Sequence, residues 1–393
     1  MIATHPLSLY LHIPFCGTRC TYCAFNTYTT MDALIPQYVQ ALSHELRLVG
    51  SRTTAPVHTI YFGGGTPSLL SASQVQQVLR ACYDSFDVLP YSEITLEVNP
   101  GSIDERYFAA LRETGVNRLS VGMQSVYESE LRLFGRDHDA AAVPITVRRA
   151  RAAGFNNLSL DLIYGIPNQT LNMWQSSVEA ALEIGADHLS MYALQLEDGT
   201  PLTKNVQQGW ISKPDDDLAA DMYDLADELA NSAGLAQYEI SNWARQGREC
   251  VHNLQYWRNL PYLGFGAGAH GYAAGIRYEV VRQIPRYLQL ASSQMVPMTY
   301  PLTASIERHE AIDVQTQMAE HLMTGLRLVR EGINIRAFAE RFGVDIDVIY
   351  GDLLRKFEGY GLLVRDDTTI KLTKSARLIS NLIFVELFGE KTA

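Results

Sequence analysis

The residue types best able to do chemistry are gathered between positions 10 and 26, in the run YLHIPFCGTRCTYCAFN. Three of the five cysteines, Cys16, Cys20 and Cys23, stand there in the spacing CxxxCxxC. A disulfide framework calls for paired cysteines and a secreted chain, and no secretory signal is present. A structural zinc site calls for a fourth Cys or His, usually from a second pair. Cys82 stands alone and Cys250 lies far downstream. Soft thiolates select iron–sulfur centres or zinc, and three of them leave one corner of a four-iron cube without a protein ligand. The spacing therefore points to a [4Fe–4S] cluster with one iron open to an exchangeable ligand.

Such a loop has to be held by something large. The chain of 393 residues is long enough for one large domain and a smaller one. Its 47% hydrophobic and 19% charged residues are those of an ordinary globular protein. A formal charge of −11 argues against nucleic acid or an anionic membrane surface as a general partner. No apolar run reaches transmembrane length, and the first residues lead quickly into a strand. Reduced thiols suit a reducing compartment, so the cytoplasm is the expected location.

Strand and helix patterns alternate along the first half of the chain. Residues 8–13, 59–62, 93–99, 118–123, 157–164 and 188–194 read as strands. Helical spacing lies between them, as over 32–50, where Leu34, Tyr38, Val39, Leu42 and Leu46 share a face. The strands lack in/out alternation, which predicts a parallel sheet covered by helices, a partial (β/α)6 barrel over residues 1–200. In such barrels chemistry collects at the C-terminal strand ends. Those ends carry Cys16, the Gly63-Gly64-Gly65 run, Glu97, Gln124, Asp161 and Ala193. Residues 201–305 read as a less regular extension with an HNLQYW and Gly-rich segment, with a linker near 292–303. Residues 306–393 read as a winged-helix-like domain. Its 12 Lys and Arg against 14 Asp and Glu lack the charge footprint of a DNA binder, so it is expected to serve as a packing or lid domain.

With these segments in view, the chain resembles radical S-adenosylmethionine (SAM) proteins of the oxygen-independent coproporphyrinogen III oxidase type. The resemblance rests on YLHIPFCGTRCTYCAF, YFGGGTPSLL, LEVNP, SVGMQS, DLIYGIP and HNLQYW…YLGFGAGAHGY, and it spans nearly the whole chain. Within that family it looks most like the HemW-type heme chaperones. The oxidase has another Cys two residues after the third cluster cysteine, where this chain has Phe25, and a longer segment before the first.

The resemblance implies that Cys16, Cys20 and Cys23 hold the cluster and that SAM binds at its open iron. Tyr10 and Tyr22 would lie beside SAM, and Gly64, Gly65 and Thr66 would let backbone approach its methionine moiety. A tight strand-to-helix turn is the other use of such a run. Glu97 would accept from ribose hydroxyls, or else join a structural ion pair. Gln124, Arg136 and Asp161 match positions the oxidase uses for a second SAM, and a structural Arg–Asp pair is the alternative. His252, opening HNLQYW, matches the chaperones' heme motif and is the expected axial ligand of heme iron, with His270 and Cys250 as further candidates. The implied cofactors are the cluster, SAM and heme, and the implied partners are heme and a heme-acceptor protein. The alternative function is a SAM-dependent coproporphyrinogen dehydrogenase that oxidatively decarboxylates propionate side chains.

Overall fold

In the computed structural model, residues 5–101, 103–292 and 299–388 are described. Six strands form the parallel core of one sheet: β1 (Leu7–Ile13), β2 (Pro56–Gly64), β3 (Asp87–Val98), β4 (Arg118–Gln124), β5 (Leu158–Tyr164) and β6 (His188–Ala193). They lie side by side in chain order, each parallel to the next. Both faces of β1 are buried: Leu9 and Leu11 on one face are at 0% exposure, and Ser8 on the other is also at 0%. That two-sided burial is why the sequence shows no alternation.

The helices cover the outer face for reasons legible in sequence. Helix Ile35–Gly50 buries Tyr38, Val39, Leu42 and Leu46 against the sheet. Helix Ala72–Ser85 starts at a capping box: Ser71 Oγ accepts from Gln74 N–H, and the Gln74 side chain accepts from Ser71 N–H at 2.8 Å.

The segment expected to be irregular instead widens the sheet at both edges. Beside β6 run β7 (Ala236–Glu239) and β8 (Asn242–Ala244) in the order β6-β8-β7. Beside β1 lies β9 (Tyr262–Phe265), parallel to it, followed outward by antiparallel β10 (His270–Ala273), β11 (Ile276–Val280) and β12 (Ile306–Ala311). Strand β12 corrects the expected boundary at 306, because its backbone pairs with β11 and belongs to the large sheet. Residues 293–298 of the expected linker lie outside the described residues.

Beyond Asp313 the chain forms a second core around Leu322, Phe338, Ile346, Leu354 and Ile370. It consists of helices Val314–Gly325, Ile335–Phe342, Ile346–Gly359 and Asn381–Leu387 with β13 (Ile333–Asn334), β14 (Leu363–Arg365) and β15 (Thr369–Leu372), the winged-helix-like makeup expected. It is tied to the barrel by Arg258–Glu331 (2.6 Å), Arg330–Glu249 (2.7 Å) and Arg341 Nη2 donating to Asn259 Oδ1 (2.8 Å). Among the described residues no helix is long and apolar enough to cross a membrane.

Candidate functional site

The C-terminal ends of β1 to β6 converge on one cavity of about 160 Å³. Cys16, Cys20 and Cys23 line it together with Tyr22, Gly64, Gly65, Thr66, Glu97, Gln124, Arg136 and Asp161. Residues from the first five strand–loop units thus meet, and from β6 the cavity takes Tyr192 rather than the expected Ala193. The cysteine loop is pinned at its start and within its span: Cys16 N–H donates to Tyr28 O (3.0 Å), and Thr21 N–H donates to Phe134 O (2.9 Å). Burial pushes the Cys16 and Cys23 thiols up from their usual range.

The glycines open the space beside the cysteines. A Cβ at Gly65 would stand 2.5 Å from Phe15 O and 3.0 Å from Cys16 Sγ. Gly64 has φ +117°, and a Cβ there would meet the His12 ring at 2.6 Å. A side chain at Gly65 would crowd the cysteine side of the β2 wall, and one at Gly64 would clash with His12. Thr66 Oγ1 reaches Cys16 Sγ at 3.5 Å.

Two half-buried carboxylates stand at the floor. Glu97 accepts from Tyr61 O–H (2.9 Å) and Gly64 N–H (3.1 Å), and burial raises it to about 7, with Asp161 adding to the rise. Asp161 accepts from Ser120 Oγ (3.0 Å) and Ser159 Oγ (3.2 Å), and burial raises it to about 6. The structural alternative of an Arg136–Asp161 pair is not formed. Arg136 donates instead to Gly122 O (2.9 Å), to Asn99 Oδ1 and to Cys20 Sγ (3.7 Å), and its buried Nε has no partner. Gln124 takes a positive φ of 64° where β4 slips register against β5, which directs it into the cavity mouth. Its Oε1 accepts from Tyr192 O–H at 3.3 Å.

The residues present fit a cluster with a SAM molecule beside it. Three thiols border one cavity, backbone lies bare next to them, and an unpartnered guanidinium N–H sits among the groups around Cys20. Tyr192, Asn99 and Ser120 belong to the same cavity and were not singled out from sequence. Asn99 and Ser120 lie inside the LEVNP and SVGMQS segments, but nothing local distinguishes a strand-end polar residue that faces the lumen from one that caps a turn.

Two expected residues fall elsewhere. Tyr10 faces a second cavity, its hydroxyl 3.0 Å from His12 Nδ1. His252, the expected axial heme ligand, lies in the core rather than at a cavity wall. It opens helix Val251–Trp257, whose first N–H groups at Val251 and His252 donate to Glu93 at 3.0 and 3.1 Å. The Thr59 hydroxyl donates to Ser8 Oγ (2.6 Å), so toward His252 Nδ1 at 2.8 Å it acts as acceptor. Nδ1 therefore carries the proton, and Nε2 accepts from Tyr256 O–H at 2.8 Å. The ring is 1% exposed and stacks on Tyr61 at 4.9 Å, and burial lowers its pKa to about 3. Its single lone pair is already used, and no ring edge is open to an iron. Cys250 is equally closed: fully buried, with Sγ 3.6 Å from Glu93 Oε1 and the thiol pushed up to about 12.

Residues 10–181 match the Radical SAM superfamily and residues 312–379 the HemN C-terminal domain. The chain is 36% identical over 388 residues to the heme chaperone HemW of Bacillus subtilis, covering 98% of this chain and 99% of the relative. The chain belongs to the HemW family. The HemW of Mycobacterium tuberculosis (strain H37Rv) is 38% identical over 391 residues, covering 98% of this chain and 95% of its own length. Among solved structures, the coproporphyrinogen III oxidase (HemN) of Escherichia coli, a radical SAM enzyme, superposes with a TM-score of 0.83. That likeness covers 98% of this chain and 91% of the oxidase at 23% identity, and it concerns the fold.

Proposed function

We propose that this HemW-family chain is a heme chaperone, binding heme and passing it to an acceptor protein, on a radical SAM scaffold that keeps its cluster and SAM sites. The observation that carries this reading is 36–38% identity, over nearly the full length, to the heme chaperones HemW of two bacteria. Cys16, Cys20 and Cys23 would hold the [4Fe–4S] cluster. Gly64, Gly65 and Thr66 would admit SAM against bare backbone, and Tyr22 would close that side from the cysteine loop. Glu97 is placed to receive hydroxyl donors, while Gln124, Arg136 and Asp161 form the opposite wall. Bound there, the cluster and SAM would supply one-electron chemistry. The protein's own part is to hold the half-buried Glu97 and Asp161 at the cavity floor with their carboxyls raised, and to set the Arg136 charge beside Cys20.

Phe25 separates this reading from the dehydrogenase one. It stands where the oxidase carries a cysteine, is 68% exposed, and offers an apolar face in place of a thiol. The test is a pair of assays on anaerobically reconstituted protein. Hemin-loaded protein is mixed with an apo-hemoprotein and the transfer followed optically, and coproporphyrinogen III is incubated with SAM and reductant. Heme transfer without decarboxylated product is expected. Product without transfer would replace this reading with the dehydrogenase.

A further inference from the structure

We propose that the heme seat is the large cavity between strands β9–β11 and helix Val314–Gly325, with His270 rather than His252 as its iron ligand. The inference rests on the heme-chaperone reading and assigns that cargo a place. The cavity measures about 730 Å³, against about 160 Å³ at the cluster mouth. That lies within the range of roughly 300–1,000 Å³ usual for small-molecule sites. Tyr256, Trp257, Tyr262 and Tyr272 line it, a wall suited to the face of a flat macrocycle.

Its register explains why these groups face one way. Tyr262 on β9 is opposite Tyr272 on β10, which is opposite Arg277 on β11. His270 lies two residues before Tyr272 and so shares its face, opposite Glu279. Two histidines line the cavity. His12 is buried, with Nδ1 3.0 Å from Tyr10 Oη and Nε2 3.0 Å from Asn26 O. His270 is exposed, and among the described residues its ring nitrogens have no hydrogen-bond partner. It is the cavity's available nitrogen donor.

The rim supplies cations for carboxylate substituents. Arg277 is already clamped by Glu320 at 2.6 Å, but Arg282 is 61% exposed and held by one contact to Glu279 at 3.0 Å. An exposed pair of this kind contributes little, so an incoming carboxylate can replace Glu279. The seat also touches the cluster loop. Phe25 borders both cavities, and Asn26 Nδ2 donates to Ala267 O (2.9 Å) and Arg282 O (3.0 Å). A flat anionic metalloporphyrin would therefore rest directly behind the cluster-binding loop.

The test is titration of the full-length protein with hemin, read at the Soret band, and with metal-free protoporphyrin, read by fluorescence. His270→Ala should weaken hemin binding at least tenfold and shift the Soret band while leaving metal-free protoporphyrin within twofold. Thr324→Trp, which fills the cavity from the helix side, should weaken both. His252→Gln should keep the parent Soret position wherever circular dichroism shows it folded. Parent-like hemin affinity and Soret band in His270→Ala overturns the ligand, and parent-like binding of both porphyrins in Thr324→Trp overturns the cavity. If the parent itself binds no hemin, the heme-chaperone reading fails first and takes this inference with it.

Discussion

A histidine is a ligand or a core residue according to what its two nitrogens already touch, and His252 and His270 divide on that point. His252 donates to Thr59, accepts from Tyr256 and is closed off; His270 is exposed with both nitrogens free among the described residues. The cluster residues can be tested at the same scale. Replacing Cys16, Cys20 or Cys23 by Ala is expected to abolish the iron–sulfur absorbance after anaerobic reconstitution, whereas Cys82→Ala, at a fully buried position far from the loop, retains it. Gly65→Val is expected to reduce cluster loading at least several-fold, because even its Cβ would lie 2.5 Å from Phe15 O and 3.0 Å from Cys16 Sγ. Full cluster content in Gly65→Val would show that the β2 wall does not approach the cluster as the structure has it.

Elements hold these residues through a few buried polar junctions. Glu45, on helix Ile35–Gly50, is 2% exposed and accepts from Tyr287 O–H (2.8 Å), Thr303 Oγ1 (2.9 Å), Ser305 Oγ and Gly266 N–H (3.4 Å). It thereby joins the first helix to helix Ile284–Ala291, to the Gly-rich loop after β9 and to the segment before β12. Removing it would leave several buried donors unpaired, at about 1–3 kcal/mol for each one not rescued by water. Glu45→Ala is therefore expected to lower the melting temperature by several degrees and to weaken porphyrin binding through the displaced β9–β10 loop. Thermal denaturation by circular dichroism measures the first effect; an unchanged melting temperature would mean that water replaces the carboxylate at no cost.

For the whole molecule, the joint between barrel and C-terminal unit carries a pH signature. Glu239, at the end of β7, is 1% exposed, and the next residue's N–H donates to Arg327 O at 3.1 Å. Burial raises its carboxyl from 4.5 to about 7, against the lowering effect of hydrogen bonds from Ser241 N–H and the Asn242 side chain. Between these values the folded chain keeps a proton that the unfolded chain has released. Its contribution is thus complete below pH 4.5 and is lost as pH rises through 7. Glu239→Gln, which mimics the protonated form, is expected to match the parent near pH 4.5 and to exceed it at pH 8 by on the order of 2–3 kcal/mol. Urea denaturation of both proteins at the two pH values reads this directly. A difference that stays constant with pH would show that Glu239 is ionised in the folded state.

The sequence alone determined whatever depends on local spacing or on a repeating period. CxxxCxxC needs only one loop to place three thiolates, and six strands without alternation require a covered parallel sheet, so the barrel and its mouth were legible. Only the tertiary structure decided which of the late strands join that sheet. β9 to β12 and β7 to β8 are three to six residues long, too short to carry a period, and their pairing depends on edges that β1 and β6 leave open. The same long-range pairing decided the histidines. His252 lies 193 residues from Thr59, its partner in the core, whereas His270 is set facing an aromatic cavity by strand register. A motif fixes which side chains are near one another along the chain; whether a ring nitrogen keeps its lone pair depends on what the fold packs against it.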